Sequence, residues 1–193
     1  MPVAPGRQRG VFLDRDGVLV VPEFRDGRSY APRRLEDFRL YPGAGEAVRA
    51  LQAAGFVVVV VTNQPDVGAG LLDRAVLDEM HARLREEAPV DDIEVCCETR
   101  AQATERRKPG AGMLLDAARR WNLDLGASYA VGDRSSDVEA AVRAGCTPVF
   151  VDLGYTAEER PTAQAASVAS LGAAVEWILA RERLNDSTAA RVA

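Results

Sequence analysis

Two carboxylates, Asp14 and Asp16, stand two positions apart after the short apolar run Val11-Phe12-Leu13, in the stretch GVFLDRDGVLV at 10–20. Aromatic and β-branched residues favour a strand. Both acids therefore fall at the carboxyl end of a buried strand, in a turn that Gly17 permits. Burying two like charges there is costly unless a cation pairs with them. Taken alone, D-x-D-G reads equally well as a plain turn, since Asp and Gly are common turn residues. Three later stretches weigh against that bland reading. Thr62 and Asn63 end the run at 56–61, Lys108 follows Arg107 in a polar stretch, and Asp133 ends another apolar run.

Clustered hard oxygens with little His or Cys suit Mg²⁺. Thr, Asn and Lys are donors suited to an oxyanion such as phosphate. A carboxylate can attack phosphorus and form an aspartyl-phosphate. A second carboxylate can give a proton to the leaving oxygen and then activate water. The set points to metal-assisted phosphoryl transfer to water.

The elements that must position these groups alternate. Strands are expected at 11–13, 56–61, 91–97, 128–131 and 147–151, and helices at 42–54, 73–87, 110–121, 136–144 and 171–181. The unbroken Val57–Val61 run suggests a strand buried on both faces of a parallel sheet. Alternating strand and helix means α/β, with right-handed crossovers placing helices on both faces. Ligands of such sheets sit beyond the carboxyl ends of the strands, where Asp14, Asp16, Thr62, Asn63 and Asp133 all fall. Residues 18–41 read as a long flap, with a hairpin turn at Asp26-Gly27. Residues 1–9 read as a loose tail, 10–182 as one domain, 153–166 as a loop and 183–193 as a frayed end.

The 193 residues allow one domain with a sizeable core. The net charge of −5 argues against a nucleic-acid footprint. No apolar run approaches the roughly 20 residues that span a bilayer, and the start lacks a secretory core, so a cytoplasmic protein is expected. The odd set Cys96, Cys97 and Cys146 fits reduced thiols.

DRDGV at 14–18, VVVVTN at 58–63, KP at 108–109 and GDRSSD at 132–137 resemble, in order, the four motifs of the haloacid dehalogenase (HAD) superfamily. The resemblance covers residues 10–155 and implies a three-layer, Rossmann-like α/β fold. It implies Asp14 as nucleophile, Asp16 as general acid/base, and Thr62 and Lys108 as phosphate holders. Mg²⁺ would be held by the Asp14 carboxylate, the Asp16 backbone carbonyl and Asp133, while Asp137 orients metal waters or Lys108. FLDRDGV, TNQPDVGAG, RRKPGAGML and YAVGDRSSDVEAA are similar to the D-glycero-D-manno-heptose 1,7-bisphosphate phosphatase and histidinol-phosphate phosphatase group, which has no large cap domain. That similarity implies substrate contacts from Asn63, Gln64 and Arg107. The partner implied is a small phosphorylated metabolite, a heptose bisphosphate first and histidinol phosphate as the alternative. The protein is expected to be a monomer; a non-catalytic binding module is a third reading. Relatives carry a zinc loop of three Cys and one His, but CCETRAQATERRKP holds no His, so no structural zinc is expected.

The remaining polar residues have bland readings. His81 is placed on the polar face of its helix, solvated, and Cys146 in the core. Arg33, Arg34 and Arg39 read as solvated charge, and Asp66, Asp91 and Asp92 as turn or surface residues. Arg134 is open between pairing with Asp133 and contacting substrate. Tyr155 lies where it can edge the site, without an assigned role.

Overall fold

The computed structural model describes residues 6–192, without the side chains at 186 and 188–192. The tail expected at 1–9 lies outside the described residues at 1–5, and its end is built into the sheet. Gln8 bridges to Leu123, and Arg9 opens strand β1 (Arg9–Leu13). The Arg9 guanidinium caps the Ala54 carbonyl at 2.9 Å and lies over the Phe56 ring.

A hairpin follows, β2 (Glu23–Arg25) and β3 (Arg28–Tyr30). Its turn is the expected Asp26-Gly27, with φ of 50° and 74°. Positive φ at both central residues is what a two-residue turn needs to match strand twist. Helix α1 (Ala44–Ala53) then leads into β4 (Phe56–Asn63). A one-turn helix, α2 (Pro65–Gly68), precedes α3 (Arg74–Glu87), whose N-cap Asp73 accepts from Ala75 N–H. Then come β5 (Asp92–Cys96), α4 (Gly112–Trp121), β6 (Tyr129–Gly132), α5 (Ser135–Ala144) and β7 (Thr147–Val151). The chain closes with β8 (Ala166–Val168) and α6 (Leu171–Val192).

Six strands form one parallel sheet in the order β5-β4-β1-β6-β7-β8. The valine run of β4 divides between two cores. Val58 and Val60 pack with Leu51, Met80, Leu84 and Ile178 of α1, α3 and α6. Val57, Val59 and Val61 pack with Met113, Leu114, Ala117 and Ala140 of α4 and α5. The result is a three-layer sandwich in which both faces of the central strands are covered. The chain builds outward from β1 to β4 and β5, then crosses back to β6, so the strand order reverses beside β1. That is where an open parallel sheet leaves a crevice for a ligand.

The fold differs from the sequence reading at two places. Ala166–Val168, which begins at the last residue of the expected loop 153–166 and had no expected strand, adds a sixth strand at the sheet edge, with Val149 opposite Ala166 and Val151 opposite Val168. Two half-buried residues flanking the exposed Ser167 carry no hydrophobic run to announce it. The terminal helix also outlasts its apolar stripe at Leu171, Ala174, Val175 and Ile178, and continues to Val192. Among the described residues, no helix is long and apolar enough to cross a membrane.

Candidate active site

The tip of β1 is tied across the sheet by Asp14 N–H donating to Val131 O at 2.9 Å. The following turn is closed by Leu19 and Val20 N–H, both donating to Arg15 O. Gly17 takes φ +93°, and a Cβ at that position would run into the Asp133 carboxylate. Gly132 has a matching reason: a Cβ there would collide with the Asp137 side chain. The two glycines are the space into which the two acids fold.

Lys108 is the buried cation of the site. Its Nζ lies 2.9 Å from Asp14 Oδ1, 2.6 Å from Asp137 Oδ1 and 2.8 Å from Val61 O. Burial works to lower the lysine pKa, but attraction to Asp137 and Asp14 outweighs it and the pKa rises, so the ammonium stays charged. Asn63 holds the lysine from behind. Its Nδ2 donates to Lys108 O at 3.0 Å and its Oδ1 accepts from Lys108 N–H at 3.1 Å. Asn63 lines the cleft, and one donor and one acceptor site of its amide are engaged by the Lys108 backbone.

Asp16 is fixed by two neighbours. Arg15, wholly buried, places Nη2 2.9 Å from Asp16 Oδ2, and Gln64 Nε2 donates to the same oxygen at 2.7 Å. Gln64 Nε2 also donates to Thr62 Oγ1 at 2.9 Å. The Gln64 amide nitrogen thus joins Asp16 to Thr62 at the wall of the cleft. Arg15 had no expected role; besides Asp16, the groups that cover its guanidinium are His81 and the Phe38 ring, which come from other elements.

Asp14, Asp133 and Asp137 are all buried, and one oxygen from each lies within 4.8 Å of the others. Asp133 Oδ2 accepts from Tyr155 Oη at 2.5 Å, while Oδ1 is buried with no hydrogen-bond partner among the described residues. Burial, then the charges of Asp14 and Asp137, push the Asp133 pKa well above the usual carboxylate range. Asp137 is also raised by burial, against the pull of Lys108. Burial and Asp133 raise the Tyr155 phenol, so it remains a donor. Converging hard oxygens, one without a protein partner, fit a small divalent cation.

Asp14, Asp16 and Asp137 open into a cleft of about 720 Å³, also lined by Arg28, Arg100, Arg107 and Arg134. Arg107 Nη1 donates to Glu98 O at 2.6 Å and, among the described residues, makes no ion pair. Arg134 lines the cleft next to Asp133, where both expected roles stay open, and it also ties down the hairpin. Its Nη2 donates to Ser29 O and Oγ at 2.7 and 2.6 Å, anchoring the hairpin, with Glu158 at 3.5 Å.

A family model described as HAD-hydrolase-like matches residues 105–174. The chain is 38% identical over 160 residues to the D-glycero-beta-D-manno-heptose-1,7-bisphosphate 7-phosphatase of Rhodopseudomonas palustris, spanning 75% of this chain and 84% of that one. The chain belongs to the HAD-like hydrolases. Within them it falls in the heptose bisphosphate phosphatase group and is a phosphoric monoester hydrolase. The D-glycero-alpha-D-manno-heptose-1,7-bisphosphate 7-phosphatase of Mycobacterium bovis is 37% identical over 145 residues, 70% of this chain and 73% of that one. The fold overlays the D,D-heptose 1,7-bisphosphate phosphatase of B. bronchiseptica, crystallised with magnesium and phosphate. That overlay has a TM-score of 0.77 and 31% identity, covering 90% of this chain and 99% of the other.

In this HAD-like hydrolase, residues 98–107 are held by side chains. The Glu98 carboxylate accepts from Thr104 N–H at 2.7 Å and Thr104 Oγ1 at 2.8 Å, while Arg106 bridges Glu94 and Asp116. Cys96 and Cys146 are buried and Cys97 half-buried, all as free thiols. Arg33 and Arg34 pair with Asp66 and Asp37 at the exposed surface, and Arg39 is exposed. Asp92 lies within β5 rather than in a turn, accepting from Trp121 Nε1 at 3.0 Å.

His81 requires correction. It is 6% exposed, not solvated, and its Nε2 lies 3.4 Å from Arg15 Nη1. The spacing of Leu77, Met80, His81 and Leu84 is that of a buried helix stripe, a signal the composition of α3 obscures. Burial, then repulsion from Arg15, lowers its pKa to about 3. The unfolded chain therefore gains a proton below about pH 6.5 that the native state refuses, and stability falls with pH through that window. Between about pH 7 and pH 5 the native chain should lose roughly 1–2 kcal/mol more than a His81→Gln variant. Urea unfolding at both pH values measures this; parallel losses would contradict it.

Proposed function

We propose that this chain is a Mg²⁺-dependent phosphatase that hydrolyses a phosphomonoester of a small sugar phosphate through an aspartyl-phosphate on Asp14. The first candidate substrate is D-glycero-D-manno-heptose 1,7-bisphosphate. The observation that carries the reading is Lys108 bridging Asp14 and Asp137 beside Asp133, with Asp16 two residues on. Asp14 Oδ1 is pinned by Lys108 Nζ and by Arg15 N–H at 2.8 Å, so the carboxylate has a fixed plane. Fixed geometry is what lowers the entropic part of a nucleophilic barrier.

Asp14 attacks phosphorus as the bond to the leaving oxygen breaks, and Asp16 gives that oxygen its proton. Asp16 then takes a proton from water, whose oxygen attacks phosphorus. The bond to Asp14 breaks, returning free phosphate and the starting carboxylate. Lys108 meets the negative charge on the phosphoryl oxygens. Gln64 fills the acceptor side of the Thr62 hydroxyl, which turns its proton outward toward the same oxygens. The Asp14 and Asp133 carboxylates and the Asp16 carbonyl would hold Mg²⁺, which supplies neutralising charge to the transferring group.

Four arginines lining the cleft favour a second anionic group on the substrate. They favour a bisphosphate over histidinol phosphate, whose amine would be repelled. Both anomeric forms are named among relatives of nearly equal identity, so identity does not choose between them. The same reading places the enzyme in the cytoplasm as a monomer, in keeping with three free thiols.

Asp14→Asn should abolish hydrolysis of an aryl phosphate and the trapping of phosphoenzyme. Asp16→Asn should slow turnover about 10²–10⁴-fold with phosphate affinity nearly unchanged. Retained turnover in the Asp14 variant would remove the nucleophile assignment and leave a different mechanism. A panel of both heptose bisphosphate anomers, histidinol phosphate and simple sugar monophosphates, ranked by kcat/KM, tests the substrate. A bisphosphate should lead; histidinol phosphate in first place would reverse the assignment.

A further inference from the structure

Tyr155 follows β7 and reaches back to Asp133, the acid at the tip of β6. Its hydroxyl donates to Oδ2 at 2.5 Å, and Oδ1 of the same carboxylate has no protein partner among the described residues. The phenol packs on the hairpin, and the hairpin is tied to the segments on either side of the site. Its ring stacks on Phe24 of the hairpin, with centroids 5.8 Å apart and planes 22° from parallel. Ala157 N–H, two residues on, donates to Gly27 O in the hairpin turn at 3.1 Å. Arg134, next to Asp133, holds the hairpin at Ser29. Hairpin, Tyr155 segment and Asp133 loop thus close a ring of contacts around one carboxylate. Gly17 completes it, since a Cβ there would press on both Asp133 and Tyr155 Oη.

A carboxylate free to rotate offers either oxygen to a cation. One with Oδ2 hydrogen-bonded is held in one orientation, and its unpartnered oxygen is already aimed. We propose that Tyr155 is a positioning residue for divalent-cation binding: it occupies Oδ2 of Asp133 and presents Oδ1 to the space shared with Asp14. The inference rests on the reading of the carboxylate cluster as a metal site. A partner that orients a ligand in this way typically accounts for about 10–100-fold in metal affinity.

Tyr155→Phe removes the hydroxyl and keeps the ring against Phe24. Titrating Mg²⁺ alone into the metal-stripped native chain and this variant by calorimetry should give a Kd about 10–100-fold weaker in the variant. In turnover the Mg²⁺ concentration for half-activation should rise by the same factor, with kcat recovered at saturating Mg²⁺. A role confined to packing the hairpin would not move the Mg²⁺ Kd, so equal affinities overturn the proposal. A fall in kcat that saturating Mg²⁺ does not repair, with half-activation unchanged, also overturns it. A native chain that binds no Mg²⁺ would remove the metal reading itself, and this inference with it.

Discussion

Like charges do not share a buried pocket without compensation, and this molecule gathers Asp14, Asp133 and Asp137 into one. A single lysine, Lys108, sits among them, paired to Asp14 and Asp137. Asp133 is left with a tyrosine hydroxyl on one oxygen and, among the described residues, no hydrogen-bond partner on the other. Burial and its neighbours together drive its pKa upward. On the proposed reading, the excess of acid over base is what would draw a cation into the pocket, and through the cation an anionic substrate. A neutralised cluster would be easier to bury and would have no such chemistry.

The parallel sheet is the device that brings these groups together. Strands β1, β4 and β6 end at one edge, and each delivers its polar residue at the point where its buried run stops. Lys108 arrives on a loop, and its long side chain is aligned by hydrogen bonds to Val61 O and, through its backbone, to Asn63. Glycines at 17 and 132 leave the room that the acids occupy. Beneath Asp16, Arg15 and His81 form a second buried polar layer under Phe38, which keeps that carboxylate at a fixed height.

Much of this was legible because strand-end chemistry follows abrupt changes in hydrophobicity: a valine run that stops at Thr62, or Val131 followed by Gly132-Asp133. The hairpin was legible from Asp26-Gly27, since few other pairs tolerate two positive φ angles. What sequence order conceals is pairing across distance. Arg15 shows no buried setting until His81, 66 residues away, and the Phe38 ring are brought against its guanidinium. Tyr155 has no local pattern; only the register of β7 against β6 carries it to Asp133. Asn63 and Gln64 were placed correctly at the β4 tip, but the direction of their amides depends on Lys108 and Asp16. The edge strand β8 is too short to show a period at all.

The most direct measurement is the stability of the metal-free chain and of an Asp133→Asn variant, at about pH 8, with and without Mg²⁺. Asparagine keeps an acceptor for Tyr155 while removing one buried negative charge. The variant should be more stable than the native chain without metal, on the order of 1–2 kcal/mol. It should also lose the gain that Mg²⁺ gives the native chain, which is about 2.7 kcal/mol at a hundredfold excess over Kd. A variant that is less stable without metal, yet still stabilised by Mg²⁺ as the native chain is, would contradict a cluster built on uncompensated carboxylate charge.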